Sequence, residues 1–341
     1  MWSRTVAIGL TVVALAGCSG SDGPPQRAGG SVPATDARPA TSTATSDGTV
    51  VGTVVGTVAG TVPATVVGPD VLADQPASAG ELAAELSAVE AAIRAPQVTP
   101  EDLAAVGRRQ QLAYRVLNRH PEWHADVAAL VDPVAAGPLL YHLAARQASI
   151  DHAAGRPPAE SPAEPPATVP AWTIVEPLPI AELRGYYDEA EAATGVPWEY
   201  LAAIHFQETR MGRVVGVSSA GAVGPMQFLP STWARCCAGD PTVARDAILG
   251  AARYLVSRGA PADMPAALYG YNPNDGYVGA VTAYAQNMLA DERAYLGYHG
   301  WEVFYGTSAG TVRLPVGYSE PVPVDVAAYL RQRPMDLLPS A

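Results

Sequence analysis

The stretch VPWEYLAAIHFQETRMGRVVGVSSAGAVGPMQF, Val196 to Phe228, decides how the rest of the chain is read. Pro197 stands where a first helical turn favours proline, whose missing N–H has no partner to lose there, and Gly212 stands where a helix stops. A helix is therefore predicted over Pro197 to Met211. On it Leu201, Ile204, His205 and Glu208 share one face at helical spacing, while Glu199 and Arg210 fall on the other. Glu208 is thus a carboxylate on the inward side. Burial strips its hydration and raises its pKa, which holds it protonated near neutrality as a general acid must be. Periodicity alone leaves a second reading open, a Glu at the core edge paired with an arginine.

Two further blocks follow in order: SSAGAVGPMQFLPSTW from Ser218 to Trp233 and ALYGYNPNDGYV from Ala267 to Val278. Gln227 is an amide among apolar neighbours and needs a hydrogen-bond partner. Glycines such as Gly221 and Gly224 allow the backbone close approach to a ligand. Tyr254, Tyr269, Tyr271, Tyr277 and Tyr284 offer aromatic planes suited to stacking or to a core.

Taken together, Glu208-Thr209, the S-x-x-G-A-x-G-x-M-Q block and the A-x-Y-N block resemble the lytic transglycosylases of bacterial cell walls, whose catalytic domain is related to goose-type lysozyme. The resemblance spans about Ile180 to Leu289. Pro225 and the Tyr-Asn-Pro-x-Asp-x-Tyr-Val run are closer to its membrane-bound branch. It implies that Glu208 is the catalytic acid, that Ser218, Gln227 and Tyr271 contact the glycan with Asn272 beside them, and that Met226 and Phe228 shape the cleft wall; Met226 is also an ordinary core residue type.

Glycosidases commonly pair two carboxylates. Asp240, Asp246, Asp263 and Asp275 all belong to later segments, and none matches an acid position of the family. The resemblance implies a different solution: the sugar's own C6 hydroxyl attacks, Glu208 donates and then accepts a proton, and a 1,6-anhydro end is left. Tethered attack gains the effective molarity of an intramolecular step. A water-using muramidase and a non-catalytic peptidoglycan-binding lipoprotein remain the alternatives.

No metal or other cofactor is expected. The run CAGDPTVARD, Cys237 to Asp246, lacks the alternating acids and closing Glu of a calcium loop, and His205-x-x-Glu208 is not a zinc-binding HExxH. His120, His124, His142 and His152 are read as surface histidines. Adjacent Cys236 and Cys237 are read as small side chains packed at a helix end, with an intermolecular bridge as the alternative, because disulfide geometry favours well-separated Cα atoms.

The 33 Asp and Glu against 21 Lys and Arg give a net charge of −12, which excludes the basic footprint of a nucleic-acid partner and a polybasic membrane grip. Attachment to a membrane is expected through lipid instead. Met1 to Arg4 precede an apolar run, Val6 to Ala16, and Leu15-Ala16-Gly17-Cys18 resembles a lipobox, so residues 1–17 read as a lipoprotein signal peptide and Cys18 as the lipidated residue on the outer face of the membrane. Residues 18–79 form a Gly/Thr/Val/Pro/Ala tether, with GTV recurring at Gly48, Gly52, Gly56 and Gly60, too poor in large apolar groups to fold.

The remainder reads as mainly α, a lysozyme-like helical catalytic domain over residues 176–296 with a small C-terminal β-hairpin and tail in 297–341. Helices are expected over Glu81 to Ile93, Pro100 to Leu117 with a Thr99–Asp102 capping box, Trp123 to Leu130 and Pro138 to Asp151, making residues 80–155 a helical region wrapped on the catalytic domain. Residues 156–175 form a Pro-rich linker or strap. Further helices are expected over Ile180 to Thr194, Pro230 to Arg235, Val243 to Ser257 and Ala280 to Asp291, and a hairpin from Trp301 to Tyr305 and Thr311 to Leu314.

Overall fold

The Thr99 hydroxyl accepts from the Asp102 N–H at 3.1 Å and the Asp102 carboxylate reaches back to Thr99, the expected capping box at the start of a long helix. A computed structural model describes residues 75–155 and 164–339. The expected signal, Cys18 and the GTV tether lie outside these residues. Four helices come first: α1 (Ala79–Ile93), α2 (Pro100–Arg119), α3 (His124–Leu130) and α4 (Pro133–Ala154). Helix α4 begins one and a half turns before the predicted Pro138. Pro133 takes the first helical turn, where a proline loses nothing, and Pro138 sits inside the helix at the loss of one ladder bond.

Helices α5 (Ile180–Thr194), α6 (Trp198–Thr209), α7 (Pro230–Cys236), α8 (Ala244–Ser257), α9 (Met264–Tyr271), α10 (Asp275–Ala290) and α11 (Ala294–His299) follow. α5 packs on α8, and α6 on α10. One apolar core runs from Leu82, Leu86 and Leu117 through Leu183, Leu201 and Ile204 to Val281 and Tyr298, so α1 to α4 share it with the later helices. α4 lies along α10 on small residues, Ala145 against Ala280 and Ala283. The approach is close enough that a Cβ on Gly279 would stand 2.4 Å from the Ala148 Cβ.

Three antiparallel strand pairs complete the chain. β1 (Thr168–Val169) pairs with β6 (Val324–Asp325), β2 (Thr173–Ile174) with β3 (Val214–Val215), and β4 (Val303–Thr307) with β5 (Gly310–Leu314). The expected hairpin is present with its first strand shifted to Val303, because Trp301 is buried in the helical core. Val169, Trp172, Ile174, Val214, Val303, Val312, Leu314 and Tyr318 form a second core with Val326 and Tyr329 of α12 (Val326–Gln332). The predicted Pro-rich strap therefore ends in two strands that tie this β module to the exit of α6. The molecule is mainly α with only short strand pairs, the fold class expected for a lysozyme-like chain.

Two expectations are corrected. His142 is not a surface residue: it is 4% exposed and stacks on Tyr114 with ring centroids 3.8 Å apart, since its face of α4 turns toward α2. Burial pushes its pKa down to about 3, so the ring is neutral. Cys236 and Cys237 are bonded to each other. Cys236 closes α7 while Cys237 is already extended, with φ −133° and ψ 165°, and this change of direction between neighbours brings the two sulfurs together.

Candidate active site

The helix that carries Glu208 is α6. Leu201, Ile204 and His205 on its inner face are buried, as the spacing requires, and Glu208 follows on the last turn. Its ends differ from the prediction by a residue or two. Pro197 is the cap rather than the first helical residue, and the helix closes at Thr209 with Arg210 and Met211 in the left-handed region at φ 54° and 59° before Gly212 at 85°. Side chains rarely adopt such angles, at roughly 1–3 kcal/mol each. Of the described non-glycine residues only Arg210, Met211 and Gln227 do so, and all three lie in the opening stretch.

Packing holds this turn in place. Thr209, fully buried, donates its hydroxyl to the Pro225 carbonyl at 2.7 Å and accepts from the Gly212 N–H at 3.1 Å. The end of α6 is thereby pinned to the loop from Ser218 to Phe228. In that loop Ser218 Oγ accepts from the Ala222 N–H at 2.9 Å, and Val223 and Phe228 bond each other through their backbones. The Gln227 amide donates to the Gly224 carbonyl at 2.8 Å, so the partner sought for it in a sugar is supplied on the nitrogen side by its own turn, and its oxygen stays unused. Met226 is fully buried and Phe228 nearly so; both side chains support the wall from behind and offer no open surface to a ligand.

From the opposite side come α9 and α10. Tyr271 donates its hydroxyl to the Met226 carbonyl at 2.6 Å, which fixes the loop to α9, and its ring lies edge-on to Phe228. Asn272 caps α9 through its backbone N–H, and its side-chain amide makes no hydrogen bond among the described residues. Asn274 caps α10 by accepting from the Tyr277 N–H at 2.9 Å. That cap places Tyr277 in the first turn of α10, its ring parallel to Tyr271 at 6.5 Å. The Tyr277 hydroxyl is buried, faces the Glu208 carboxyl and completes no hydrogen bond of ordinary geometry. Sequence reasoning grouped Tyr277 with four other aromatics; the Asn-x-x-Tyr start of a helix was the signal that singles it out. Tyr254, Tyr269 and Tyr284 belong elsewhere: Tyr254 bonds Gly270, Tyr269 is exposed and Tyr284 packs on Phe206.

Electrostatically the centre is simple. Protein crowds Glu208 on most sides while some of its surface meets solvent, and this burial pushes its pKa from 4.5 up to about 7, against a smaller lowering by the Tyr277 hydroxyl. Among the described residues no second carboxylate acts on it, and Arg210 turns away to lie over the Phe206 ring at 4.3 Å. The core-edge ion pair that periodicity left open is therefore not formed. What remains is a single acid, half protonated near neutrality, that can give a proton and take one back.

No family model matches this chain, and no solved structure matches it. Over 127 residues it is 33% identical to membrane-bound lytic murein transglycosylase F of Thiobacillus denitrificans, a match that covers 35% of this chain. The chain spans 27% of the length of that relative. About a third of the chain is thus similar to a lytic murein transglycosylase.

Proposed function

We propose that this chain is a peptidoglycan lytic transglycosylase that cleaves the β-1,4 bond between N-acetylmuramic acid and N-acetylglucosamine. Glu208 protonates the leaving glycosidic oxygen as positive charge develops on the sugar. The resulting carboxylate then takes the proton of the muramic acid C6 hydroxyl as that oxygen closes on C1, and a 1,6-anhydro end is formed. Carbon–oxygen bonds broken and made are equal, the proton returns to Glu208, and no water is consumed. The observation that carries this reading is one carboxyl with a pKa near 7 and, among the described residues, no second carboxylate acting on it. The Ser218 hydroxyl proton, the Gln227 oxygen and the Asn272 amide are free to meet the glycan, while Tyr271 and Met226 hold the loop that presents them. The Leu15 to Cys18 motif supports a lipid anchor on the outer face of the cytoplasmic membrane.

The test is mass spectrometry of purified peptidoglycan digested by the wild type and by Glu208→Gln. Anhydro-muropeptides with the wild type and none with the variant are expected. Reducing ends would make the protein a muramidase, and glycan binding without fragments would make it a reader. The variant should fold at least as stably as the wild type above neutral pH, because it removes a carboxyl whose ionisation burial opposes.

A further inference from the structure

A cavity of about 360 Å³ opens between the C-terminal end of α2 and α4, lined by Pro121, Leu143 and Ile150 on its apolar side and by Asn118, His124 and Arg146 on its polar side. None of the residues assigned above to the glycan cleft line it. Its polar groups are underused by the protein. Arg146 makes no ion pair or hydrogen bond among the described residues, in a chain where acids outnumber bases 33 to 21. The Asn118 amide oxygen, buried behind the cavity wall, has no partner among the described residues. His124 Nε2 lies 3.0 Å from the Leu117 carbonyl, which can only accept, so in the neutral ring Nε2 carries the proton and Nδ1 is left as an acceptor.

The field here is positive. Arg210, stacked on Phe206 and 5.9 Å from the Trp301 ring, also lacks a carboxylate. His142 behind Arg146 is neutral and supplies no counter-charge, and Gln147 occupies the nearby Asp151 carboxylate at 2.7 Å. A half-buried guanidinium without an anion is costly to keep and matches a carboxylate in fork geometry. A ligand for this cavity needs a carboxylate for Arg146, an N–H donor for His124 Nδ1, and a small aliphatic group for Pro121, Leu143 and Ile150.

We propose that the cavity binds the C-terminal end of a short peptide, with Arg146 holding its free carboxylate. The stem peptides of peptidoglycan are the peptides of this chemistry that a glycan-cleaving protein meets; that identification rests on the proposed function, whereas the peptide site itself does not.

The test is calorimetric titration of the full chain with N-acetyl-D-alanyl-D-alanine, with its C-terminal amide and with acetate, in the absence of glycan. The free acid is expected to bind at least tenfold more tightly than the amide, a preference of about 1.4 kcal/mol. Arg146→Ala should abolish the preference, Arg146→Lys should keep part of it as a point charge, and Leu143→Trp should block binding by filling the cavity. Equal binding of acid and amide, an undiminished preference in Arg146→Ala, or acetate competing as well as the dipeptide would overturn the proposal. Cleavage of peptide-free glycan strands should be the same in Arg146→Ala as in the wild type. Loss of cleavage in the wild type would instead strike the glycan reading and leave the peptide titration standing.

Discussion

Glu208 owes its pKa to a balance of two effects, and the balance can be shifted one atom at a time. Burial raises it from 4.5 to about 7, and the Tyr277 hydroxyl, facing the carboxylate, lowers it. A general acid works only while protonated, so the rate of glycan cleavage should fall as the pH rises through about 7. Tyr277→Phe removes the lowering contact and leaves the ring stacked on Tyr271. The alkaline limb of the pH–rate profile should therefore move upward, with little change in stability because the lost hydroxyl is a buried group without an ordinary partner. An unmoved limb would show that the two groups do not interact in the working enzyme.

At the scale of elements, the loop from Ser218 to Phe228 stays in place because α6, α9 and the segment before α8 each hold it. Thr209 bonds Pro225, Tyr271 bonds Met226, and Gly224 at φ 76° lies so close to the following loop that a Cβ there would come within 1.8 Å of the Pro241 carbonyl. Gly224→Ala meets both a steric and a conformational penalty, and thermal unfolding should show a loss of at least about 2 kcal/mol. The Cys236–Cys237 bond closes the end of α7 just before that same loop, with the Trp233 indole N–H donating to the Gly239 carbonyl at 3.2 Å. The opening stretch thus carries its three left-handed side-chain residues only because neighbouring elements hold them from three directions.

Across the whole molecule, the N-terminal helices are joined to the later ones by a buried polar network. Glu90, with no exposed surface, accepts from the Gln110 amide at 2.8 Å, the Tyr114 hydroxyl at 2.9 Å and Arg94 at 2.5 Å, and Arg94 reaches Asp291 at 2.6 Å. Gln110 in turn accepts from the Trp301 indole N–H, and Gln111 pairs with the Glu302 backbone through both of its amide atoms. Glu90→Ala would strand two buried donors, the Gln110 amide and the Tyr114 hydroxyl, while Arg94 keeps Asp291, so denaturant unfolding should show a loss of about 2–4 kcal/mol. Because the core is continuous from Leu82 to Tyr298, that loss should appear as a lower midpoint of one transition, not as early melting of α1 and α2 alone.

Local rules sufficed for much of this protein. Helical spacing, prolines in first turns and the Thr99–Asp102 cap located most helices to within a few residues, because each of these signals acts through contacts inside one turn of backbone. Three ordered motif blocks pointed to Glu208, and helical periodicity turned it inward. The same rules missed α9, α11, α12 and the two-residue strands, which are too short to carry a period, and they missed the bond between Cys236 and Cys237, which depends on how the chain turns as α7 ends. Tertiary packing alone decided what surrounds the acid: a Tyr277 hydroxyl brought from 69 residues further along the chain and no opposing carboxylate. It also decided which amides and which guanidinium groups stay without a partner among the described residues. Desolvation and pairing are properties of a neighbourhood, and that neighbourhood exists only when distant segments are folded against one another.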